Sequence, residues 1–302
     1  MVYLQTKLRK WIDINLLEWY SLSENPNAIE LLEANPEKIN WKGLSRNKNA
    51  IELLKNNPHK IDMWNLSSNP NPDVISILRN NIHKIDWDIL SINPIAIEFL
   101  KENPENIAWD LLSANPNAIE LLEANPEKID WIYISDNKNA IHLIKNNLNK
   151  FNDWDKLSTN PGAIELLKEN PDKIVWNFLS INSNPEAIKL LKSNPNKINW
   201  SYLSLNPNAI ELLKANPENI IWDDLSENPN AIELLEANTD KINWFNFSYN
   251  TSIFTYDYDL IKKNFKDLGE EIIQKALHPK RMLRLMQEYG EDDVYKYYFD
   301  EE

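Results

Sequence analysis

The chain is built from one 22-residue unit that is repeated end to end over most of its length. Residues 109–130 show the unit in its most regular form, WDLLSANPNAIELLEANPEKID. A leucine or apolar substitute followed by serine recurs eleven times, from Leu22 to Phe247. Self-similarity at such a period is typical of arrays in which each unit buries its apolar side only against its neighbours. The repeat therefore constrains the fold more than any other feature.

Asparagine-proline pairs mark where the helices of each unit begin. Sixteen of the 17 prolines follow an asparagine. Asparagine caps the free N–H groups of a helix, and proline tolerates the first helical position. After Asn115, Ala118, Ile119 and Leu122 have helical spacing. The next pair, at Asn125, ends this helix because proline disfavours the α conformation in the preceding residue.

The rest of the unit predicts a turn and a second helix. Residues 127–130 favour a tight or 3₁₀ turn, and Asp130 is placed to cap a short helix over 131–135. We therefore predict an all-α fold, an α-solenoid of about eleven 22-residue two-helix repeats with N- and C-terminal caps. Because packed helices lie about 8–10 Å apart, eleven units should form a rod or shallow superhelix roughly 100 Å long.

Three domains follow from where the pattern starts and stops. Residues 1–18 are predicted to be an N-terminal cap that closes off the first repeat, 19–250 the helical array, and 251–302 a C-terminal helical cap. Apolar residues of the last segment are expected to cover the last repeat: Leu260, Ile261, Phe265, Ile272, Ile273, Leu283 and Leu285. The segment ends in an acidic, aromatic tail of unassigned role.

Composition excludes several classes of function. The formal charge of −14 disfavours nucleic-acid binding, which needs lysine and arginine to neutralise phosphates, and it suits a basic protein partner better. No cysteine is present, so disulfides and thiolate chemistry are excluded. No apolar run resembles a signal sequence or a membrane span, so we expect an intracellular protein of the host cytoplasm or virion. No cofactor, metal or small-molecule substrate is expected.

Residues that recur in every copy are interpreted as structural. The serines could be imagined as nucleophiles, the asparagines as amides for a ligand, and the tryptophans as a stacking platform. Bonding to the backbone, helix capping and filling the space between layers explain them better. We assign a structural role to Leu22, Ser23, Asn25, Trp41, Leu112, Ser113, Asn115, Leu121, Leu122 and Asn125.

A binding surface should vary from copy to copy while the frame stays constant. The two residues after each tryptophan vary in this way, and several are aromatic or charged, as in interface anchors. Neutral drift at unconstrained positions explains the variation equally well. The candidate partner-binding residues are Lys42, Ile132, Tyr133, Phe178, Tyr202, Asp223, Asp224 and Phe245.

The unit NPNAIELLEANPEKIDW, with Leu-Ser between copies, resembles the tandem repeat proteins of giant nucleocytoplasmic DNA viruses, and IFTYDYDL at 253–260 resembles their usual ending. The Asn-Pro and Leu-Leu framing is similar, more weakly, to leucine-rich variant repeats, in which α and 3₁₀ helices alternate. The first resemblance implies a viral protein. We expect a non-enzymatic scaffold that binds a protein or peptide in host interaction or assembly; the alternative is a structural spacer of the virus particle.

Overall fold

The described chain is almost entirely helical. The computed structural model describes residues 6–258 and six further positions: Leu260, Lys262, His278, Arg281, Met282 and Arg284. Its elements with defined bounds are twenty α-helices, sixteen 3₁₀ helices and two strands of three residues, and Tyr258, Leu260, Lys262, Arg281, Met282 and Arg284 are also helical. The prediction of an all-α repeat solenoid is thereby confirmed. The chain divides into two compact units, residues 8–254 and residues 1–7 with 255–302.

Each repeat begins with a short helix that we call the A helix. In ten copies it is an α-helix: Trp19–Glu24, Trp41–Arg46, Met63–Ser67, Trp87–Ile92, Trp109–Ser113, Trp154–Thr159, Trp176–Leu179, Trp200–Leu205, Trp222–Leu225 and Trp244–Phe247. In the sixth copy it is a 3₁₀ helix, Tyr133–Asp136, at the place where the sequence predicts a short helix over 131–135. Asparagine or aspartate before the helix caps it, as Asp130 Oδ1 does by accepting from Tyr133 N at 3.0 Å.

The B helix follows in ten of the eleven repeats. The B helices are Ile29–Glu33, Ile51–Asn56, Val74–Arg79, Ile97–Lys101, Ile119–Ala124, Ile141–Asn146, Ile164–Glu169, Pro185–Lys192, Ile210–Lys214 and Ile232–Glu236. In four repeats a 3₁₀ turn leads into the B helix: Pro94–Ala96, Pro161–Ala163, Pro207–Ala209 and Pro229–Ala231.

A 3₁₀ helix after the B helix completes most repeats. These helices are Pro36–Lys38, Pro58–Lys60, Ile82–Lys84, Pro104–Asn106, Pro126–Lys128, Pro171–Lys173, Pro195–Lys197, Pro217–Asn219 and Thr239–Lys241. The two-helix unit with a 3₁₀ turn agrees with the expectation from sequence. The remaining 3₁₀ helices, Ile14–Leu16 and Thr251–Ile253, lie at the two ends of the array.

One continuous apolar core runs between the A and B layers. Leu112 of an A helix and Leu122 of the following B helix are fully buried, whereas Leu121 is partly buried and packs against the core. The equivalent leucines and the alanine before each B helix are buried in the same way around the array. Helices of four to eight residues are unstable alone, so this shared core holds them in place.

The two asparagine positions of each repeat have different roles. Asn115 is fully buried; its Oδ1 accepts from Asn117 N, and its Nδ2 donates to two carbonyls of the preceding repeat. Asn125, interpreted from sequence as an N-cap, makes no such cap: its Nδ2 donates at 2.9 Å to Leu121 O and so satisfies the end of the preceding helix. The second Asn-Pro pair therefore stops a helix with its amide as well as its proline.

The unit of residues 8–254 closes into a ring, so the expected rod or superhelix is wrong. Asn25 of the first repeat donates to Asn250 O of the last, as most of the equivalent buried asparagines do to the asparagine of the previous repeat. Glu18 N donates at 2.9 Å to Ser248 Oγ, the bond that links the other repeats. The expectation of a rod used one interhelical distance for every helix, so it did not allow the A helices and the B helices to be spaced differently.

The last repeat is assembled from both ends of the array. After Trp244–Phe247 the chain leaves without forming a B helix. Its place is taken by residues 8–18, in which Trp11 stacks on Phe247 with ring centroids 5.7 Å apart and Arg9 N donates to Ile253 O. These residues were predicted to close off the first repeat; instead they join it to the last.

The A helices form the inner circumference of the ring. Neighbouring A helices pack directly on one another: a Cβ on Gly43 would lie 2.8 Å from Tyr20 O of the previous repeat. Neighbouring B helices are farther apart and meet through long side chains, such as Arg79 and Glu102. With helices of about 10–12 Å diameter spaced about 8–10 Å apart, eleven copies leave an opening roughly 15–25 Å across.

The second compact unit is described only in part. Its strand residues belong to β1, Thr6–Leu8, and β2, Phe254–Tyr256, which pair in a two-stranded sheet. Lys7 Nζ lies 2.9 Å from Asp257 Oδ1. Leu260 is partly buried. The other predicted cap residues and the acidic tail lie outside the described residues.

Candidate functional site

The candidate site is the side of the A helices that faces the opening of the ring. The third and fourth residues after each tryptophan position, leucine and serine in most copies, are buried in the wall. The first, second and fifth residues lie on the opposite side of the helix, because residues four apart share a face. We call these thirty-three positions of the eleven repeats the lumenal face.

All eight residues predicted to bind a partner lie on the lumenal face. Lys42, Ile132, Asp223 and Phe245 occupy first positions and are exposed, Ile132 by 54% and Phe245 by 56%. The second-position residues are partly buried, namely Tyr133, Phe178, Tyr202 and Asp224. The ring therefore gathers them on one inner surface.

The fifth positions were missed from sequence. They include Glu24, Arg46, Asp136, Glu227 and Tyr249. A helical spacing of four from the variable first position would have identified them. They vary between copies as much as the other two positions do, so they belong to the same surface.

Side chains of neighbouring repeats contact one another along the lumenal face. Phe178 and Tyr202 stack with centroids 5.9 Å apart, and Ser201 Oγ donates to Asp224 Oδ2 at 2.5 Å. Lys156 Nζ lies 3.3 Å from an Asp136 carboxylate oxygen. These contacts join the positions into a continuous surface.

Closure of the ring brings residues from distant parts of the sequence together. Tyr249 of the last repeat lies close enough to Tyr20 of the first to affect it electrostatically. The pKa of Tyr20 is raised, first by burial and then by the carboxylate and hydrogen bond of Glu24. Arg46, which pairs with Glu24 at 3.4 Å, lies over the Trp64 ring at 5.3 Å. The proximity of Tyr249 to Tyr20 could not be found without knowing that the ends meet.

The recurring tryptophans are not open stacking platforms. Each packs against the core, and in six repeats the lysine of the turn after the B helix lies over its ring. Lys60 Nζ, for example, is 4.4 Å from the Trp41 ring centroid. Trp64 differs: Met63 takes the usual tryptophan position, and Trp64 is 49% exposed on the lumenal face.

The recurring serines are occupied by backbone hydrogen bonds. Ser113 Oγ donates to Trp109 O at 2.8 Å and accepts from Asp130 N of the next repeat at 2.9 Å. Ser23 makes the same two bonds, and both serines are fully buried. Their hydroxyls therefore link repeats and are not presented to solvent.

The described residues offer little else that suggests chemistry. They contain no cluster of histidine and acidic side chains suited to hold a metal. A shallow open groove lies beside Trp176, but Lys197 already covers that ring at 4.4 Å. In the same residues no helix is both long and apolar enough to cross a bilayer. Comparison with family models, curated proteins and solved structures gives no match.

Proposed function

We propose that the ring is a non-enzymatic scaffold that binds a protein or peptide partner on its lumenal face. The observation that carries this proposal is the set of large apolar side chains exposed there: Tyr20, Trp64, Ile92, Ile132 and Phe245, each 39–56% exposed. Exposed aromatic side chains gathered on one surface are the usual anchors of protein interfaces.

The B helices provide the internal comparison. None of the large exposed apolar side chains of the described residues lies on a B helix, whose outward positions are mainly glutamate and lysine. These charges pair within the helix, as Glu52 and Lys55 do at 3.1 Å. The two layers thus differ in the property that distinguishes an interface from a solvated surface.

The arrangement also suits specificity. Buried leucine, serine and asparagine hold each A helix in the same position, so substitutions at the exposed positions of the lumenal face leave the frame unchanged. A repeat scaffold of this kind selects a partner through its variable side chains.

The test compares two triple variants, each of which replaces three exposed apolar side chains with serine. The lumenal variant is Trp64→Ser, Ile132→Ser and Phe245→Ser. The control is Leu16→Ser, Ile82→Ser and Leu148→Ser, which removes side chains exposed by 46%, 47% and 40% away from the lumenal face. The two variants and the unchanged protein are each immobilised and exposed to an extract of cells that naturally make the protein. Quantitative mass spectrometry then measures which partners each of the three retains.

We expect partners retained by the unchanged ring and by the control to be lost from the lumenal variant. Circular dichroism of all three proteins establishes that the ring is folded. Equal retention by the lumenal variant and the control would overturn the proposal.

A further inference from the structure

The lumenal face carries more negative than positive charge. Its carboxylates are Glu24, Asp88, Asp110, Asp136, Asp155, Asp223, Asp224 and Glu227, and its cations are Lys42, Arg46 and Lys156. The excess of five negative charges lies on the inside of a closed ring. Charges of one sign lining a concave surface reinforce one another and attract ligands of the opposite sign.

Most of these carboxylates lack a cationic partner within the described residues. Glu24 pairs with Arg46, and Asp136 with Lys156. No described lysine or arginine pairs with the other six. On the B helices, by contrast, glutamates pair repeatedly with the lysine three residues later, as Glu211 does with Lys214 at 3.1 Å.

Three of the unpaired carboxylates lie together on the tenth A helix. Asp223 and Glu227 are four residues apart and so share a helical face, with Asp224 beside them. The pKa of Glu227 is raised by burial and by the Asp224 carboxylate. The ionised groups therefore repel one another, and a cation from a partner would relieve that repulsion.

Aromatic side chains flank this group on both sides. Phe178 and Tyr202 stack in the two preceding repeats, and Phe245 and Tyr249 contact edge to face in the following one, with centroids 5.9 Å apart in both pairs. Aromatic rings beside carboxylates favour guanidinium and ammonium groups, which pair with the acid and stack on the ring. The lumenal face already uses this pairing internally, where Lys156 Nζ lies 4.9 Å from the Tyr133 centroid.

We propose that the partner presents an arginine- and lysine-bearing peptide segment, which lies in extended form along the lumenal face of repeats eight to eleven. This deepens the proposed function and rests on it. Its side chains alternate between the carboxylates of Asp223, Asp224 and Glu227 and the rings on either side. Around an opening roughly 15–25 Å across, four of the eleven repeats span about 17–29 Å, the length of roughly five to eight extended residues.

The test measures binding of synthetic peptides to the full-length ring by fluorescence anisotropy. The probe is a labelled peptide that alternates arginine with alanine; a glutamate-alanine peptide of equal length and a single-stranded oligonucleotide serve as comparisons. The lumenal variant is Asp223→Asn, Asp224→Asn and Glu227→Gln. The control, Glu218→Gln, Glu233→Gln and Glu236→Gln, removes the same charge from exposed positions outside the lumenal face of the same region.

We expect the unchanged ring to bind the arginine peptide more tightly than either comparison ligand. The lumenal variant should weaken that binding at least tenfold and the control less than twofold. Equal losses in the two variants would show attraction to net charge alone and overturn the proposal, as would tighter binding of the glutamate peptide or of the oligonucleotide.

A different result separates the two proposals. If partner retention depends on Trp64, Ile132 and Phe245 while the arginine peptide does not bind, the lumenal face binds proteins but not through basic segments. If the arginine peptide binds but partner retention is unchanged in the apolar lumenal variant, the proposed function fails on its own test.

Discussion

The inner and outer layers of the ring hold their neighbours by different means. In the inner layer the asparagine side chains donate directly to backbone carbonyls of the previous repeat, as Asn115 does at 2.9 Å to both Ser91 O and Asn93 O. In the outer layer the B helices meet through exposed ion pairs, such as Lys145 with Glu169 at 2.7 Å. The inner layer is therefore joined by short, rigid hydrogen bonds to the backbone, and the outer layer by ion pairs between long, flexible side chains.

This difference teaches why the array curves. A buried amide that bonds to backbone fixes a close approach, whereas a lysine-glutamate pair spans a wider and less definite gap. Each repeat is thus wedge-shaped, narrow at the A helix and wide at the B helix. Eleven wedges complete a circle, and cohesion should reside mainly in the inner layer.

The largest expected loss of stability comes from removing a buried asparagine in the middle of the array. Replacing Asn115 with alanine removes three hydrogen bonds, two of them buried, and leaves two buried carbonyls with fewer donors. We expect a loss of about 3 kcal/mol in the free energy of unfolding. Urea denaturation followed by circular dichroism measures it, with Asn117→Ala as the control, because that exposed amide makes a single bond to Pro94 O and should cost less than about 1 kcal/mol. Equal losses would refute the assignment of cohesion to the buried asparagines.

The same substitution at the seam should cost less. Asn25 makes one bond to Asn250 O, at 3.2 Å, and accepts one from Asn27 N. We expect Asn25→Ala to lower the free energy of unfolding by about 2 kcal/mol. Because the last repeat is held together by non-covalent contacts between residues 8–18 and residues 244–253, this variant should open before it unfolds. Solution scattering should then show a larger radius of gyration at urea concentrations where Asn115→Ala remains compact, and identical scattering curves would contradict the closed ring.

The outer layer should tolerate the loss of an ion pair. Arg79 and Glu102 form an exposed bidentate ion pair, and the hydrogen bond from Arg79 lowers the pKa of Glu102. We expect Arg79→Ala to leave the melting temperature within measurement error, because solvent screens exposed pairs. A fall comparable to that of Asn115→Ala, measured by calorimetry, would show that the outer layer contributes as much as the inner one.

A small stabilising effect is expected from a substitution at a carboxylate of the lumenal face. Since the pKa of Glu227 is raised in the folded ring, its ionisation disfavours folding above that pKa and has no effect well below the usual carboxyl pKa. Glu227→Gln should therefore raise the melting temperature slightly at neutral pH, and the gain should vanish in acid. Melting curves over the acidic range test this, with Glu233→Gln as an exposed control. A gain that persisted in acid would rule out charge as its cause.

The sequence was sufficient for the local structure of each unit. Asp130 before an apolar segment predicted a capped helix, and Asn115-Pro116 predicted that another helix follows, although it begins at Ile119 and not at Pro116. The leucine spacing predicted which side chains form the core, and the variable residues after each tryptophan lie on one surface. These inferences succeeded because they depend on contacts within one or two turns of chain.

The ring itself could not be predicted in this way. Curvature depends on a difference in spacing between two layers, and that difference arises from how Asn115 and its equivalents bond to the previous repeat. Nothing in the local pattern distinguishes Asn125, which bonds backward within its own helix end, from Asn115, which bonds across the wall. The seam between Asn25 and Asn250 joins residues 225 positions apart, so no periodicity indicates it.

The repeat assembled from the two ends of the array has a consequence for how many copies the chain can hold. An open stack of repeats tolerates the gain or loss of a unit. Its two ends expose apolar surfaces through which copies of the molecule can join into fibres. Here an added or deleted copy would leave the ends misaligned by about one eleventh of a turn. Duplication of one repeat, which merely lengthens an open array, would therefore prevent this ring from closing. The number of repeats is then under selection.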